Sequence, residues 1–209
     1  MANRKCYTGL VTRRSDQPRS GCAINASVEV IGDRWSLLIL RDVMFGNRRH
    51  FRILQERSEE GIASNILADR LRRLVADGLL TRADAGRGHR AEYSLTEAAI
   101  QLVPVMAALG RWGARHRPTT PSLRVWAELL ADGGPDLWDD FMTELRAEHL
   151  GAPLPSRSGP TTAERLAAAY AAALVLETGK TPGNKDSVLA ELREQLGAAR
   201  GDVVGQGRP

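Results

Sequence analysis

The sequence predicts a mainly α-helical fold with one small β-hairpin, and three observations lead to that prediction. Apolar residues recur at helical spacing over most of the chain, as in the stretch "SNILADRLRRLVADGLLTR" at 64–82. Two short strand-like runs flank the glycine-containing segment "DAGRGHR" at 84–90. Aromatic residues make up 5% of the chain, which suits helices better than a β-sandwich.

The first two predicted helices are separated by Gly32 and Asp33. Apolar residues repeat at helical spacing over 22–31, and a glycine directly after such a segment favours termination of the helix. An aspartate just before a helical segment is a preferred N-cap, so Asp33 is expected to begin a second helix that Gly46 closes. Most of the circumference of this second segment is apolar, which predicts a buried helix.

A short third helix and an amphipathic fourth helix follow. The third is expected within 48–58, with Phe51 and Leu54 facing inward. In the fourth, over 63–76, three leucines recur at helical spacing, so one side of this helix should pack on a core: Leu67, Leu71 and Leu74. The opposite side is polar and basic.

A hairpin, a long helix and a helical extension complete the predicted elements. The strands cover 79–83 and 91–95, and Thr96 caps a fifth helix over 97–116 that Pro104 should bend. After a hinge at 118–121, four more helices are predicted, the third with a Thr161–Glu164 capping box: 122–131, 136–149, 162–178 and 186–198. The predicted domains are a flexible arm at 1–21, a first domain at 22–117, a helical domain at 118–200 and a flexible tail at 201–209.

Charge is distributed unevenly along the chain. Residues 1–118 hold 20 Lys and Arg against 12 Asp and Glu, a net charge of +8, whereas residues 119–209 hold 9 against 13, a net charge of −4. Such asymmetry suggests that only the front half meets a polyanion. No apolar run approaches the roughly 20 residues that cross a bilayer, and no signal peptide or disulfide framework is indicated. We therefore expect a cytoplasmic protein without a membrane partner.

Three helices followed by a two-stranded hairpin is the element order of a winged helix-turn-helix, in which the last of these helices enters the major groove of DNA. Amide, guanidinium and carboxylate groups on helix 63–76 suit adenine, guanine and cytosine edges, and basic residues before the helix and on the wing at 80–95 suit phosphates. The predicted DNA contacts are Ser64, Asn65, Asp69, Arg70, Arg72, Arg73, Arg48, Arg49, Arg52, Arg82, Arg87, His89 and Arg90.

A series of short motifs extends over about residues 22–114: Cys22, Gly32, Trp35, Ile39-Leu40-Arg41, Gly46, Arg48-Arg49, Phe51, Gly61-Ile62, Tyr93-Ser94-Leu95-Thr96 and Trp112-Gly113. These motifs resemble those of the HxlR-type winged-helix regulators of prokaryotes. The chain departs from the family pattern where His50 interrupts Arg-Arg-Phe, where Ala23, Ala63 and Ala99 replace the usual residues, and in a hairpin tip without prolines.

This resemblance implies a homodimer in which the first and fifth helices of two copies pair. Such a dimer would place two recognition helices on successive turns of double-stranded DNA, at a near-palindromic operator. The resulting functional prediction is a sequence-specific transcriptional regulator, with repression as the expected sign. The alternative is a protein-interaction module on a winged-helix scaffold, whose acidic tail supplies the partner surface.

Two further features have both a functional and a structural interpretation. The resemblance aligns Cys22 with a cysteine that senses oxidants in some family members, with Cys6 as a candidate partner, but a small packed residue is the simpler interpretation. Aromatic and apolar residues of the helical extension are candidates for a small-molecule effector pocket, although packing is the default: Trp126, Trp138, Phe141, Met142 and Tyr170.

No arrangement of residues in the sequence indicates catalysis or cofactor binding. The four histidines have no metal-ligand spacing with one another or with the cysteines. No glycine-rich phosphate loop, nucleophile elbow or paired-carboxylate pattern is present. The sequence therefore predicts a protein that is not an enzyme and that needs neither a metal nor a cofactor.

Overall fold

The computed structural model describes residues 20–83, 90–156 and 159–178. Its helices and strands, in chain order, are α1 (Ala23–Ile31), α2 (Arg34–Gly46), α3 (Phe51–Glu56), α4 (Ser64–Ala76), β1 (Leu80–Ala83), β2 (Glu92–Leu95), α5 (Glu97–Ile100), α6 (Val103–His116), α7 (Pro121–Leu150) and α8 (Thr162–Thr178). The predicted mainly helical fold with a small hairpin is confirmed.

The helices α1 to α4 form where local sequence favours them. Asp33 caps α2, because its Oδ1 accepts hydrogen bonds from the backbone N–H groups of Trp35 and Ser36, both at 3.1 Å. Asn47, at φ 44°, ends α2 in the left-handed conformation that asparagine tolerates. α3 is shorter than predicted and spans six residues.

Strands β1 and β2 pair as an antiparallel hairpin directly after α4. The register places Leu80 opposite Leu95 and Arg82 opposite Tyr93. Leu80, Leu95 and the neighbouring α5 residue Ile100 are almost fully buried, so the base of the hairpin belongs to the core. The hairpin tip at 84–89 lies outside the described residues.

The predicted long fifth helix is interrupted, which corrects the expectation of one helix bent at Pro104. α5 ends at Ile100, and α6 begins at Val103 with Pro104 as its second residue. Proline is tolerated in the first turn of a helix, where its missing N–H is not needed. Pro104 therefore lies at the start of a new helix, and the break falls at residues 101–102.

The helical extension contains α7 and α8. The predicted helices over 122–131 and 136–149 correspond to two arms of α7, which meet at Gly134, a non-helical residue with φ 61° and ψ −157°. The predicted capping box at the start of α8 is confirmed: Thr161 N–H donates to Glu164 Oε2 at 2.9 Å, and Glu164 N–H donates to Thr161 Oγ1 at 3.1 Å. The predicted helix at 186–198 lies outside the described residues.

The chain divides into two compact units. Among the described residues, the first comprises 20–83, 90–102 and 145–153, and the second comprises 103–144, 154–156 and 159–178. This division differs from the domain ranges expected from sequence, since α6 belongs to the second unit and the last turn of α7 belongs to the first. The ranges 22–117 and 118–200 stay a prediction, as do the flexible arm and tail.

Candidate nucleic-acid interface

Helix α4 has a buried side and an exposed side, as its sequence predicts. Leu67, Leu71 and Leu74 are at most 1% exposed and anchor the helix in the core of the first unit. Ser64 and Asn65 lie exposed in its first turn. The helix therefore presents hydroxyl and amide groups to solvent from a rigid element.

Two outward guanidinium groups of α4 lie beside one carboxylate. The side chains of Arg72 and Arg73 are 74% and 49% exposed, and they approach Asp69 at 3.4 Å and 3.0 Å. Exposed ion pairs of this spacing contribute only about 0.3–0.5 kcal/mol, so these groups can exchange Asp69 for another partner at little cost. They are thus available to a ligand.

Arg70 differs from these two arginines because it contacts the protein scaffold. Its side chain is 21% exposed, and its Nε lies 3.2 Å from Asp33 Oδ1, the same carboxylate that caps α2. This ion pair joins α4 to the start of α2. Arg70 was predicted as a DNA contact, and its geometry favours a supporting role.

The turn before α4 is fixed by an ion-pair network that sequence analysis did not predict. Arg41 on α2 forms a bidentate pair with Glu60, at 2.6 and 2.9 Å, and also contacts Asp42. Burial acts against the charge of Arg41, but hydrogen bonds and charge interactions with Glu60 and Asp42 outweigh it and raise its pKa. The hydrogen bond from Arg41 in turn lowers the pKa of Glu60. The connection between α3 and α4 is thereby held to α2.

Arg48 and Arg49 also have intramolecular partners. Arg48 Nη1 lies 3.1 Å from Asp42 Oδ2 and donates to the backbone carbonyl of Arg57. Arg49 lies 3.1 Å from Glu92 and donates to Tyr93 O at 3.3 Å. Both side chains are at most 20% exposed. The two arginines predicted to contact phosphates therefore brace the scaffold beside the hairpin.

The remaining predicted phosphate contacts lie at the surface or outside the described residues. Arg82 on β1 and Arg90 before β2 are exposed. Arg52 on α3 is 65% exposed and pairs with Glu56. Arg87 and His89 fall in the segment 84–89, which the structure does not describe. The exposed basic groups of the hairpin and α3 belong to the same unit as α4.

Comparison with known proteins places this geometry in a family. A model of the HxlR-like helix-turn-helix matches residues 30–121. One relative is the uncharacterized HTH-type transcriptional regulator YkvN of Bacillus subtilis, which is 33% identical over a match that covers 46% of this chain and 80% of YkvN. Another is the uncharacterized HTH-type transcriptional regulator YdeP of the same organism, which is 30% identical over a match that covers 56% of this chain and 88% of YdeP. The chain belongs to the HxlR-like helix-turn-helix family.

Other relatives match over a smaller share of their own length. The uncharacterized HTH-type transcriptional regulator Rv3095 of Mycobacterium tuberculosis is 36% identical over 50% of this chain, and the match covers 66% of that relative. The protein PA1607, of which a crystal structure is known, shares 37% sequence identity with this chain, and the two structures have a TM-score of 0.44. The match covers 48% of this chain and 69% of PA1607.

Membership in the HxlR-like family settles two predictions. The winged helix-turn-helix fold with a helical extension is confirmed. The prediction that the chain is not an enzyme is also confirmed, because the matching relatives are named as HTH-type transcriptional regulators, which is not a class of enzymes. Among residues 20–83, 90–156 and 159–178, no helix is both long and apolar enough to span a bilayer. The same part of the chain contains no group of side chains suited to a metal ion.

The HxlR-like match ends at residue 121, so α8 and all of α7 except its first residue lie beyond it. Their predicted effector residues are engaged in packing: Trp126 Nε1 donates to Leu166 O at 2.7 Å, and Trp138 Nε1 donates to Leu130 O at 2.6 Å. Trp126 also contacts the ring of Tyr170, and Phe141 is 2% exposed. A neighbouring cavity of about 10 Å³, lined in part by Leu166, has space for about one water molecule.

Cys22 occupies the N-cap position of α1 and is exposed, with a free thiol. Within the single chain Cys22 is thus not packed, and both interpretations of this cysteine stay predictions. Oxidant sensing by Cys22 stays a prediction, and its candidate partner Cys6 lies outside the described residues.

Proposed function

We propose that the chain is a sequence-specific DNA-binding transcriptional regulator that inserts α4 into the major groove. The observation that carries this proposal is the two-sided character of α4, with leucines buried below and amide, carboxylate and guanidinium groups exposed above. A B-DNA major groove of about 12 Å admits one helix, and these are the groups that read base edges. The family's regulators support the same function.

The exposed groups divide into base contacts and phosphate contacts. Asn65, Arg72 and Arg73 are proposed to contact bases, because they lie on the exposed side of α4. Asp69, which pairs with both arginines in the free protein, is placed to accept a hydrogen bond from cytosine. The proposed phosphate contacts are Ser64 in the first turn of α4 and three arginines outside this helix, Arg52, Arg82 and Arg90. Arg48, Arg49 and Arg70 support the interface from within.

We further propose that two copies form a homodimer. α1 contains no buried residue and exposes Ile24 and Val28 at 76% and 57%. α6 exposes Leu109 and Trp112 at 47% and 54%. Large exposed apolar side chains at helical spacing are typical of interaction surfaces. A two-fold dimer would present two α4 helices to half-sites about 34 Å apart on a near-palindromic operator.

Fluorescence anisotropy with the duplex upstream of the gene that encodes this chain tests the DNA-binding proposal. A scrambled duplex of equal length and base composition serves as the control, and both are titrated between about 50 and 200 mM KCl. We expect binding to the upstream duplex that is at least roughly a thousandfold tighter and that weakens with salt. Equal affinity for both duplexes, or no binding at low salt, would contradict the proposal.

Two measurements test the finer parts of the proposal. Sedimentation equilibrium should give a dimer mass, and Val28→Glu on the exposed side of α1 should shift the protein to monomers. A reporter under the upstream region should be repressed by the protein. Activation of the reporter would contradict repression without affecting the DNA-binding proposal.

A further inference from the structure

The outer edge of β2 is covered by the chain on the side away from β1. Tyr93 N–H donates to the backbone carbonyl of Arg49 at 2.8 Å. Two residues further along the same edge, Leu95 N–H donates to Nδ1 of His149 at 3.3 Å. An imidazole of α7 therefore takes the place that a carbonyl of a third strand would occupy.

Charged side chains of the same α7 turn contact residues that lie next to the two ends of β2. Arg146 forms a bidentate pair with Glu97, at 2.7 and 2.9 Å, just after the strand. Glu148 accepts a hydrogen bond from Asn47 at 3.1 Å and lies 3.4 Å from Arg49. Arg49 also contacts Glu92 at the beginning of β2. Three side chains from one helical turn thus contact the hairpin or its immediate support.

We propose that the last turn of α7 is a positioning element for the wing, in which His149, Arg146 and Glu148 fix β2 and thereby the direction in which the hairpin presents Arg82 and Arg90. This inference rests on the proposed function, because the direction of these arginines matters only where the hairpin binds a phosphate backbone. The HxlR-like match ends at residue 121, so this turn lies outside the part of the chain that the family shares.

The chemistry of His149 suits this positioning role. A ring that accepts through Nδ1 must be neutral and must carry its proton on Nε2. Burial lowers the pKa of His149 to about 4, the charge of Arg49 acts in the same direction, and Glu148 opposes them. Glu92, Glu97 and Arg146 are the other charged groups around this edge. The ring consequently remains an acceptor at neutral pH.

Two substitutions of His149 separate positioning from general stability. His149→Leu fills similar space but removes the acceptor, whereas His149→Gln supplies a side-chain oxygen that can accept from Leu95 N–H. The first measurement is the hydrogen exchange of the Leu95 amide by NMR. The second is binding to the upstream duplex as a function of salt. Both are to be made on the wild-type protein and the two variants at neutral pH.

A wing that points in the wrong direction should give a different result from a protein that is less folded. In His149→Leu the Leu95 amide should exchange faster and affinity should fall roughly tenfold. The slope of log K against log salt should become shallower by about 0.9 for each phosphate group that the wing no longer neutralises. A variant that is merely less folded would lose affinity without a change in that slope. His149→Gln should restore both the protection and the slope.

Three results would overturn the inference. The first is equal protection of Leu95 in all three proteins, and the second is wild-type affinity and slope in His149→Leu despite fast exchange. The third is reduced affinity of His149→Leu with an unchanged slope, which would indicate a structural role alone. A wild-type protein that binds no duplex would instead overturn the proposed function, and the positioning of the wing on DNA with it.

Discussion

Two pairs of arginines, Arg48–Arg49 and Arg72–Arg73, look alike in sequence but differ in their surroundings. The side chains of the first pair are 20% and 16% exposed and contact carboxylates and backbone carbonyls. Those of the second pair are 74% and 49% exposed and share one carboxylate on their own helix. A basic dipeptide is therefore insufficient to identify a DNA contact, because the partners of each guanidinium decide its role.

The difference also has an energetic consequence. Turning Arg49 toward DNA would break its ion pair with Glu92 and would remove the hydrogen bond that it donates to the carbonyl of Tyr93. Turning Arg72 toward DNA gives up only an exposed pair worth about 0.5 kcal/mol. We therefore propose that the first pair stabilises the fold and that the second pair serves recognition.

The largest expected effect is on stability and concerns Asp42, the buried carboxylate between Arg41 and Arg48. Asp42→Ala removes the shared partner of both guanidinium groups and should lower the free energy of unfolding by about 3 kcal/mol. Urea denaturation measures this change. The matched control is Asp69→Ala on α4, which should lower that free energy by no more than about 0.5 kcal/mol. Similar decreases in the two variants would contradict the expected difference between the buried ion pairs of Asp42 and the exposed ion pairs of Asp69.

The next effect concerns base recognition by Asn65, which is exposed in the first turn of α4. Asn65→Ala should cost about 1–3 kcal/mol of binding free energy at one operator position and leave the others unchanged. Competition with duplexes mutated at each position locates the effect. Arg90→Ala, at the hairpin, should instead weaken all duplexes alike. A uniform decrease in Asn65→Ala would contradict its assignment to a base.

A smaller effect is expected for Arg49. Arg49→Ala removes the hydrogen bonds to Tyr93 and Ser94 and the contacts with Glu92 and Glu148. The free energy of unfolding should fall by about 1–2 kcal/mol. Preference for the upstream over the scrambled duplex should persist. Unchanged stability combined with loss of that preference would show that Arg49 contacts DNA directly.

The effect that is smallest at neutral pH, and that grows only in acid, is a pH dependence due to His149. In the unfolded chain the ring takes up a proton near its ordinary pKa of 6.5, whereas in the folded protein burial lowers the pKa to about 4. Between these values the unfolded state binds more protons, so stability should decrease as the pH falls from about 6.5 to about 4. The midpoint of urea denaturation should therefore decrease less with acid in His149→Gln than in the wild type. Parallel decreases would contradict this role of the ring.

The sequence predicts well what depends on local interactions. The leucine stripe of α4, the Asp33 cap of α2 and the Thr161–Glu164 capping box involve residues within a few positions of one another, so periodicity and capping rules locate them. The interruption between α5 and α6 was missed because a proline is compatible with both a bent helix and a helix start.

The rules of helical periodicity and capping do not predict contacts between distant parts of the chain. Arg41 and Glu60 are 19 positions apart, and Leu95 and His149 are 54 positions apart. Their pairing depends on how helices pack, which one sequence does not reveal. The intramolecular pairs of Arg49 with Glu92 and of Arg70 with Asp33 were missed for the same reason, because those carboxylates lie on other elements. The predicted DNA contacts of these arginines stay untested predictions.

Specificity of two double variants tests the central claim most directly. The quantity is the ratio of the Kd for the scrambled duplex to that for the upstream duplex, measured at one salt concentration on folded protein. If Arg72 and Arg73 contact bases, Arg72→Ala/Arg73→Ala should lower this ratio by roughly a hundredfold. If Arg48 and Arg49 only support the fold, Arg48→Ala/Arg49→Ala should leave the ratio within about threefold of the wild type. An unchanged ratio in the first variant, or an equal decrease in both, would contradict the account.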